Sequence, residues 1–328
     1  MSLSLSGLST GKRTYVGLRE IIVRRLLQSL PIILAVAALI FVMFSVIPGT
    51  FASSMSDDGR SVLDAEVMAR MNKEFGLDDP VYVRFGKYVS QLATFDLGTS
   101  FRTRQPVAHV IADRLWPTAQ LAFASMLFAI LIGVPLGFVA ALRPGSWIDT
   151  ISMIGAVSGL SLPKFWLGLL LMYLFALMLG WLPSFGYGGG DLRYLILPSI
   201  ALGVAPLALL ARTTRAAVLD IMNADFVRTA RSKGMSESKV VRWHLTRNAL
   251  VIILTTIGLQ FGTVIGQAVV IEKLFSWPGL GSLLVDSVTL RDIPVVQGSI
   301  LVIVLLFLLI NMLVDVLCAI IDPRIKYT

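Results

Sequence analysis

The sequence contains few of the residues that form disulfides, bind metals or carry charge. Its 328 residues include one cysteine, Cys318, and two histidines, His109 and His244. A single cysteine has no partner within the chain, which excludes a secreted scaffold held together by disulfides. Only 15% of the residues are charged, too few for a soluble globular protein of this length.

The chain also lacks a recognisable nucleotide-binding or catalytic motif. The nearest match to a phosphate-binding loop, residues 7–13, has three residues instead of four between its glycines and an arginine after the lysine. Serines and threonines occur within apolar stretches, where hydroxyls usually bond back to their own helix or to a neighbouring one. We therefore expect a non-catalytic protein that binds no cofactor itself.

Apolar residues make up 56% of the chain and occur in long blocks. A helix that rises 1.5 Å per residue needs about 20 apolar residues to cross a hydrocarbon core of about 30 Å. The sequence therefore predicts an all-α membrane protein with six transmembrane helices. In the third block, Pro163 predicts a kink or local unwinding within a single crossing. The predicted spans are 26–47, 116–142, 148–181, 194–212, 248–272 and 296–321.

The distribution of positive charge predicts the orientation of these spans. The net charge is +8, and lysines and arginines are concentrated in residues 1–25 and in the loop 213–247. The positive-inside rule places both segments in the cytoplasm, and six crossings return the tail 322–328 to the same side. His109 and His244 then lie on opposite sides of the membrane, so we expect no metal site.

The long hydrophilic segment 48–115 falls on the outer side in this topology. We predict surface helices at about 65–75, after Asp79-Pro80, and from Pro106 into the second span. Two interpretations stay open: the helices are scaffolding on the membrane surface, or they form a docking surface for an external partner.

Polar residues inside the spans are candidates for a solute path, because each is costly in lipid unless it lines water or has a partner. Packing or snorkelling roles are equally open for these residues. Gly258, Gly262 and Gly266 form a stripe that allows another helix to approach closely, in this chain or in a second subunit. The candidate path-lining residues are Lys164, Gln260, Gln267 and Asn311.

The cytoplasmic loop shows a helix–stop–helix pattern. Asn223 or Asp225 is expected to cap the first helix, Gly234 to adopt the left-handed stop conformation, and Ser236 to cap the second helix. Phe226, Val227 and Ala230 lie on or near one helical face, which suits insertion into a partner's groove. A basic loop that only fixes topology is the simpler alternative. A DNA-reading helix-turn-helix is disfavoured because both ends are tethered to spans.

Several motifs resemble the permease subunits of ABC importers of the dipeptide/oligopeptide/nickel class, particularly the first of the two permeases. Thr229, Ala230 and Arg231 occupy the Glu-Ala-Ala positions of that family's coupling motif, and Gly234 occupies its glycine position. The resemblance covers nearly the whole chain. The motifs are FVRTARSKG at 226–234, HLTRNAL at 244–250, FGLDDP at 75–80, DLGTSFR at 96–102, PKFWLG at 163–168, FSWPGLG at 275–281, DIPVVQG at 292–298 and DPR at 322–324.

The resemblance implies a permease core of spans two to six, at 116–321, plus an additional N-terminal span. It also implies a second, similar permease, two cytoplasmic ATPases that bind ATP and Mg, an external solute-binding protein, and a prokaryotic inner membrane. The residues expected to couple to the ATPases are Asp225, Phe226, Val227, Arg228, Thr229, Ala230, Arg231, Ser232, Lys233, Gly234 and Met235.

The class imports di- and oligopeptides, and nickel, opines and oligosaccharides are the alternative solutes. A self-sufficient channel or secondary carrier is the rival class. It is disfavoured because the sequence shows no inverted repeat and no acid-rich ion path, and because it contains the coupling segment.

Overall fold

A computed structural model describes residues 18–46, 79–94 and 96–321, and this part of the chain is nearly all helical. Its main helices, in chain order, are α1 (Leu18–Val46), α2 (Val81–Ala93), α3 (Val107–Leu142), α4 (Trp147–Ser161), α5 (Lys164–Leu171), α6 (Arg193–Met222), α7 (Asp225–Ser232), α8 (Arg247–Leu274), α9 (Leu280–Thr289) and α10 (Ile293–Ile321). A π-helical turn, Met172–Met178, extends α5, and another, Val240–Thr246, leads into α8.

Five of these helical segments are long and apolar enough to cross a membrane: those containing α1, α3, α6, α8 and α10. The bent pair α4 and α5 makes a sixth when it is counted as one span. The predicted all-α fold with six spans is therefore confirmed.

Helix boundaries extend beyond the apolar blocks. The second predicted span begins at Val107 instead of residue 116, and the fourth continues to Met222 instead of ending at residue 212. The additional turns are amphipathic or polar, so hydropathy alone did not reveal them. The predicted surface helix after Asp79-Pro80 is confirmed as α2, and the helix from Pro106 is confirmed as the start of α3. The helix predicted at 65–75 lies outside the described residues.

The third apolar block breaks at Leu162-Pro163. Both residues adopt extended backbone conformations, with ψ of 129° and 128°, and the axes of α4 and α5 differ by 107°. A proline disfavours helical geometry in the residue before it, and its ring removes a backbone donor, so the helix ends there. The predicted interruption at Pro163 is confirmed, and it is a full break.

Helix α6 is the centre of the bundle. Its most apolar window is 61% buried within the chain, whereas that of α10 is 6% buried. Glycines allow the backbones of α3 and α6 to touch: a Cβ added to Gly133 would lie 2.6 Å from the Leu207 carbonyl oxygen, and one added to Gly203 would lie 2.7 Å from that of Ser125. Close backbone approach through small residues is the usual basis of helix association in lipid.

The predicted glycine stripe of α8 serves two different surfaces. A Cβ on Gly258 would overlap the side chain of Val314 in α10, and one on Gly262 would lie 3.0 Å from Asn311. Gly266 has no neighbour within 4 Å in this chain. The first two glycines therefore pack against α10 of the same subunit, and Gly266 lies on an open surface.

The bundle has two chemically different ends. We name the end that carries 143–146 and 223–246 the basic end, because Arg143, Arg228, Lys239 and Arg242 lie there. The opposite end, which carries α2, 96–106, 179–192 and α9, is named the far end. The ion pair from Arg25 of α1 to Asp315 of α10, with Nε and Oδ2 2.7 Å apart, joins the N-terminal helix to the last one.

We expect Gly258→Ala to lower the thermal unfolding midpoint in detergent, because the added methyl group overlaps Val314 and overpacking commonly costs about 1–3 kcal/mol. Gly266→Ala, the matched control, should leave the midpoint unchanged. Equal effects of the two substitutions would contradict the packing described for α8.

Candidate coupling and solute-path sites

Helix α7 is a short helix that lies in the chain between the long helices α6 and α8. Its N-cap is Ala224, which offers no side-chain hydrogen bond. The predicted caps are therefore wrong: Asn223 is the C-cap of α6, and Asp225 is the first residue of α7. Gly234 has φ of +77°, which confirms the predicted left-handed stop. Ser236 lies at the predicted N-cap position of the next helical turn, but its side chain makes no capping bond.

The apolar face of α7 is turned toward its own chain. Val227 is fully buried and Ala230 is 7% exposed, and both pack in a cluster with Val218, Val240 and Leu245. The prediction that Val227 and Ala230 face a partner's groove is therefore wrong. The physical reason is that residues three apart share a helical face, and this face covers the apolar ends of α6 and α8.

The exposed surface of the segment is basic with two apolar side chains. Phe226 is 46% exposed and its ring centroid lies 6.0 Å from that of His244, while Met235 is 37% exposed. Arg231 pairs with Glu237 across the glycine stop, with Nε and Oε1 2.8 Å apart. The exposed residues of the expected coupling segment are Asp225, Phe226, Arg228, Thr229, Arg231, Ser232, Lys233, Gly234 and Met235.

An ion pair between the half-buried Arg215 and the buried Asp149 lies beside this segment. Arg215 of α6 donates from Nε to Oδ1 of Asp149 at 2.5 Å and from Nη2 to Oδ2 at 2.7 Å, and the Gly145 amide donates to Oδ2 at 3.0 Å. Ser146 caps α4 by accepting from the Asp149 amide. The pair ties the start of α4 to the C-terminal part of α6, ten residues before the first residue of α7. Sequence reasoning missed Asp149, although a serine three residues before an acid is a helix-start signal.

Two of the candidate path residues meet in space. Lys164, the first residue of α5, donates from Nζ to Oε1 of Gln267 in α8. Gln267 is exposed beside Gly266, and Gln260 lies on the same helical face, where its amide oxygen accepts from Thr263 at 3.4 Å. These residues give one face of α8 a polar, open surface at the break between α4 and α5.

Asn311 lies elsewhere. Its Nδ2 donates to the Phe307 carbonyl oxygen at 2.9 Å, and its side chain lies against Gly262. The structure therefore places Asn311 at the contact between α8 and α10 and does not bring it together with Lys164 and Gln267.

A fully buried carboxylate, Glu272, organises the far end, and sequence reasoning missed it. Its Oε1 accepts from Thr118 Oγ1 at 2.7 Å, and its Oε2 accepts from the Gly281 and Ser282 amides at 2.7 and 3.1 Å. These amides open α9, where the helix dipole favours a negative charge. In the sequence Glu272 is followed by Lys273 at the end of an apolar block, a pattern that is typical of charges at the membrane surface.

The motif at 275–281 wraps around this carboxylate. Trp277 donates from Nε1 to the Pro117 carbonyl oxygen at 2.8 Å, and Leu280 donates its amide to Thr118 Oγ1 at 2.8 Å. A Cβ on Gly279 would overlap the Glu272 carboxylate. The motif thus joins α3, α8 and α9 through one buried acid.

No group of three or more His, Cys, Asp or Glu side chains is placed to hold a metal ion within the described ranges. His109 lies at the far end and His244 at the basic end.

The comparisons with known proteins define the class. Residues 133–327 match the family of binding-protein-dependent transport system inner membrane components, and residues 18–122 match the N-terminal component of the same systems. The chain belongs to this family, which confirms the resemblance: it is a membrane-spanning permease subunit of a binding-protein-dependent ABC importer.

Curated relatives extend over almost the whole chain. The glutathione transport system permease proteins GsiC of Salmonella paratyphi A and of Escherichia coli are each 44% identical over 306 residues, which cover 93% of this chain and 98% of the relative.

Solved structures agree on the fold. The MetNI methionine ABC transporter in an inward-facing conformation matches with a TM-score of 0.55 and 21% identity, covering 65% of this chain and 96% of that one. An amino acid ABC transporter with histidines matches with a TM-score of 0.52 and 18% identity, covering 64% and 93%. Because the sequence identities are only 21% and 18%, the similarity to these structures shows the fold of the transmembrane core alone.

We expect Glu272→Ala to lower the yield of folded protein and its unfolding midpoint strongly, because it leaves several buried donors without an acceptor, each costing about 1–3 kcal/mol. Glu272→Gln should be intermediate, since the amide keeps one acceptor oxygen. Lys273→Ala is the control, because its pairing with Asp286 is exposed. The measurement is thermal unfolding in detergent, and a Glu272→Ala protein as stable as the control would refute the role assigned to this acid.

Proposed function

We propose that this chain forms half of the path of a peptide importer, facing a second permease and driven by two ATPases on the cytoplasmic side. The open polar face of α8 around Gly266 and Gln267 supports a subunit contact or path surface there, because exposed polar groups at membrane depth are costly in lipid. The external binding protein of such a system delivers the solute to the far end.

The proposed orientation places the basic end, both chain termini and α7 in the cytoplasm. The support is the positive-inside rule: Arg143, Arg228, Lys233, Lys239 and Arg242 all lie at the basic end. The far end, with the buried acids Glu272 and Asp292, then faces outward.

The observation that carries the coupling proposal is the way α7 is held. Its buried face, Val227 and Ala230, is embedded in the ends of α6 and α8, so a displacement of α7 must move these spans. Its exposed face presents Phe226 as an aromatic anchor for an ATPase groove. ATP and Mg are bound and hydrolysed by the ATPases, and this subunit transmits the movement without catalysing a reaction.

We expect Phe226→Glu to lower transport-coupled ATP hydrolysis about tenfold or more, because an aromatic anchor at an interface is commonly worth about 2 kcal/mol. The measurement is ATP turnover of the complex reconstituted in lipid vesicles, with and without solute-loaded binding protein. The control is Tyr82→Glu, the same change at a side chain 77% exposed on α2 at the far end. Unchanged turnover with Phe226→Glu would contradict the proposed contact.

Short peptides, including glutathione, are the solutes that we propose. The relatives named for glutathione transport support this choice, and so does Lys164, whose ammonium group at the open face suits the carboxylate of a peptide. A cationic side chain at this place is less suited to a nickel ion, and the glutathione transport relatives favour a peptide over an opine or an oligosaccharide.

We expect vesicles with the reconstituted complex to accumulate labelled glutathione or a dipeptide, and Lys164→Gln to lower this uptake about tenfold, the usual scale of a charge-assisted hydrogen bond. Lys273→Gln, a lysine paired with Asp286 at the far end, is the control. Uptake of nickel in preference to both peptides would overturn the proposed solute class and leave the permease class intact.

A further inference from the structure

A polar cavity lies at the far end of the bundle, and it is separate from the open face of α8. It has a volume of about 360 Å³ and lies between α2, the segment 96–104 and the first two turns of α10. None of its lining residues belongs to α5 or α8. Its volume is within the range of small-molecule sites, and its polar lining includes Tyr88, Gln91, Asp96, Arg104 and Gln297.

The polar groups of this cavity have bonding capacity to spare. The described residues give the Arg104 guanidinium no hydrogen bond or ion pair, and they give none to the Gln91 or Gln297 amides. The Tyr88 hydroxyl is buried without a partner, and Asp96 uses one carboxylate oxygen to accept from the Gly98 amide at 2.9 Å. The side chains of Gln91, Asp96 and Arg104 are exposed and therefore solvated, whereas the Tyr88 hydroxyl is buried. Buried polar groups usually find partners, so this unpartnered hydroxyl in the cavity lining indicates a site for a polar ligand.

The segment that carries Arg104 is held rigidly. Asp292, 5% exposed, accepts from Ser100 Oγ at 2.5 Å and from the Phe101 amide at 3.1 Å, which ties the segment to the start of α10. The Ser100 amide donates to the Gln105 carbonyl oxygen, and the Arg104 amide donates to that of Ser100. This network fixes the cavity wall before any ligand arrives, which lowers the entropic cost of binding.

Arg104 itself has a strained backbone, with φ of +58°. A residue with a Cβ rarely adopts this conformation, and such strain persists only where the surroundings impose it. Glycine would adopt the same conformation without strain, so an arginine at this position carries a cost in stability. Its exposed side chain lines the cavity, where a cation can bind a carboxylate.

We propose that this cavity binds a small zwitterion, an amino acid or a dipeptide, with the ligand carboxylate at Arg104 and the ligand ammonium group at Asp96. Tyr88, Gln91 and Gln297 supply hydrogen bonds to the amide or side chain between the two charges. A dipeptide is about 7 Å long when extended, a length that a cavity of this volume accommodates. The geometry of the site does not depend on the proposed orientation of the chain. Only the statement that a ligand reaches it from outside the cell rests on that part of the proposed function.

The test is calorimetric titration of glycylglycine into the purified complex in lipid nanodiscs, without binding protein or ATP. The wild type should bind glycylglycine saturably, and binding should weaken about tenfold with glycylglycinamide, which lacks the carboxylate, or with N-acetylglycylglycine, which lacks the ammonium group. Absence of saturable binding of glycylglycine to the wild type would overturn the proposal.

Two variants locate the binding. Arg104→Gln should weaken the binding of glycylglycine about tenfold without changing the affinity for glycylglycinamide. Asp96→Asn should also weaken the binding of glycylglycine about tenfold, without changing the affinity for N-acetylglycylglycine. Asn keeps the oxygen that accepts from Gly98, so the turn is preserved. Arg102→Gln, on the same segment outside the cavity lining, is the control. Binding that persists unchanged in both variants belongs to another site and overturns this one.

A third variant separates binding from folding. Arg104→Gly should abolish the preference for a free carboxylate while the unfolding midpoint stays equal to the wild type or rises, because the backbone strain is relieved. A falling midpoint would show that Arg104 holds the segment structurally, against the proposal. Vesicle uptake of glutathione, measured on the same preparations, reports on the permease function separately, so either idea can fail alone.

Discussion

The contact between the backbones of α3 and α6 is the constraint on which the bundle depends. Lipid is as apolar as a leucine side chain, so burial of apolar surface does not hold transmembrane helices together. Close packing of the helix backbones has to hold them instead. Gly133 and Gly203 let carbonyl oxygens of one helix reach the Cα positions of the other. With α6 fixed in this way, its last turns place Arg215 against Asp149 and lead directly into α7. The position of the coupling segment is therefore set by glycines deep in the membrane.

Hydrogen-bonded carboxylates help to hold both ends of the bundle. At the far end, Glu272 and Asp292 each gather donors from distant parts of the chain, and directional hydrogen bonds fix the loops around them. At the basic end an apolar cluster and the Arg215–Asp149 pair hold the corresponding segments. At both ends a hydrogen-bonded carboxylate joins segments that are distant in the sequence, and such directional bonds tolerate little displacement.

The sequence was sufficient for the spans, for the break at Pro163 and for the stop at Gly234, because hydropathy and backbone chemistry are local properties. It did not reveal Glu272 or Asp149, because an acid near the end of an apolar block looks the same whether it faces water or a ring of buried donors. The orientation of α7 was misjudged for a related reason. Val227 and Ala230 were correctly placed on one face, but only the three-dimensional arrangement shows which of two apolar neighbours, a partner or the chain itself, covers that face. Asn311 was a candidate for the path only because it is a polar residue in an apolar span. Its contact with Gly262 between α8 and α10 depends on how the two helices pack, which the sequence does not show.

Helix α7 has eight residues, well below the length at which a helix persists by itself in water. The helix is stabilised by the packing of Val227 and Ala230 against the ends of α6 and α8. A peptide of the same sequence would therefore be a poor mimic of the segment, and moving these residues into another permease would require the cluster under them to move as well. Under the proposed coupling role, a misfolded subunit therefore presents no formed α7 to the ATPases.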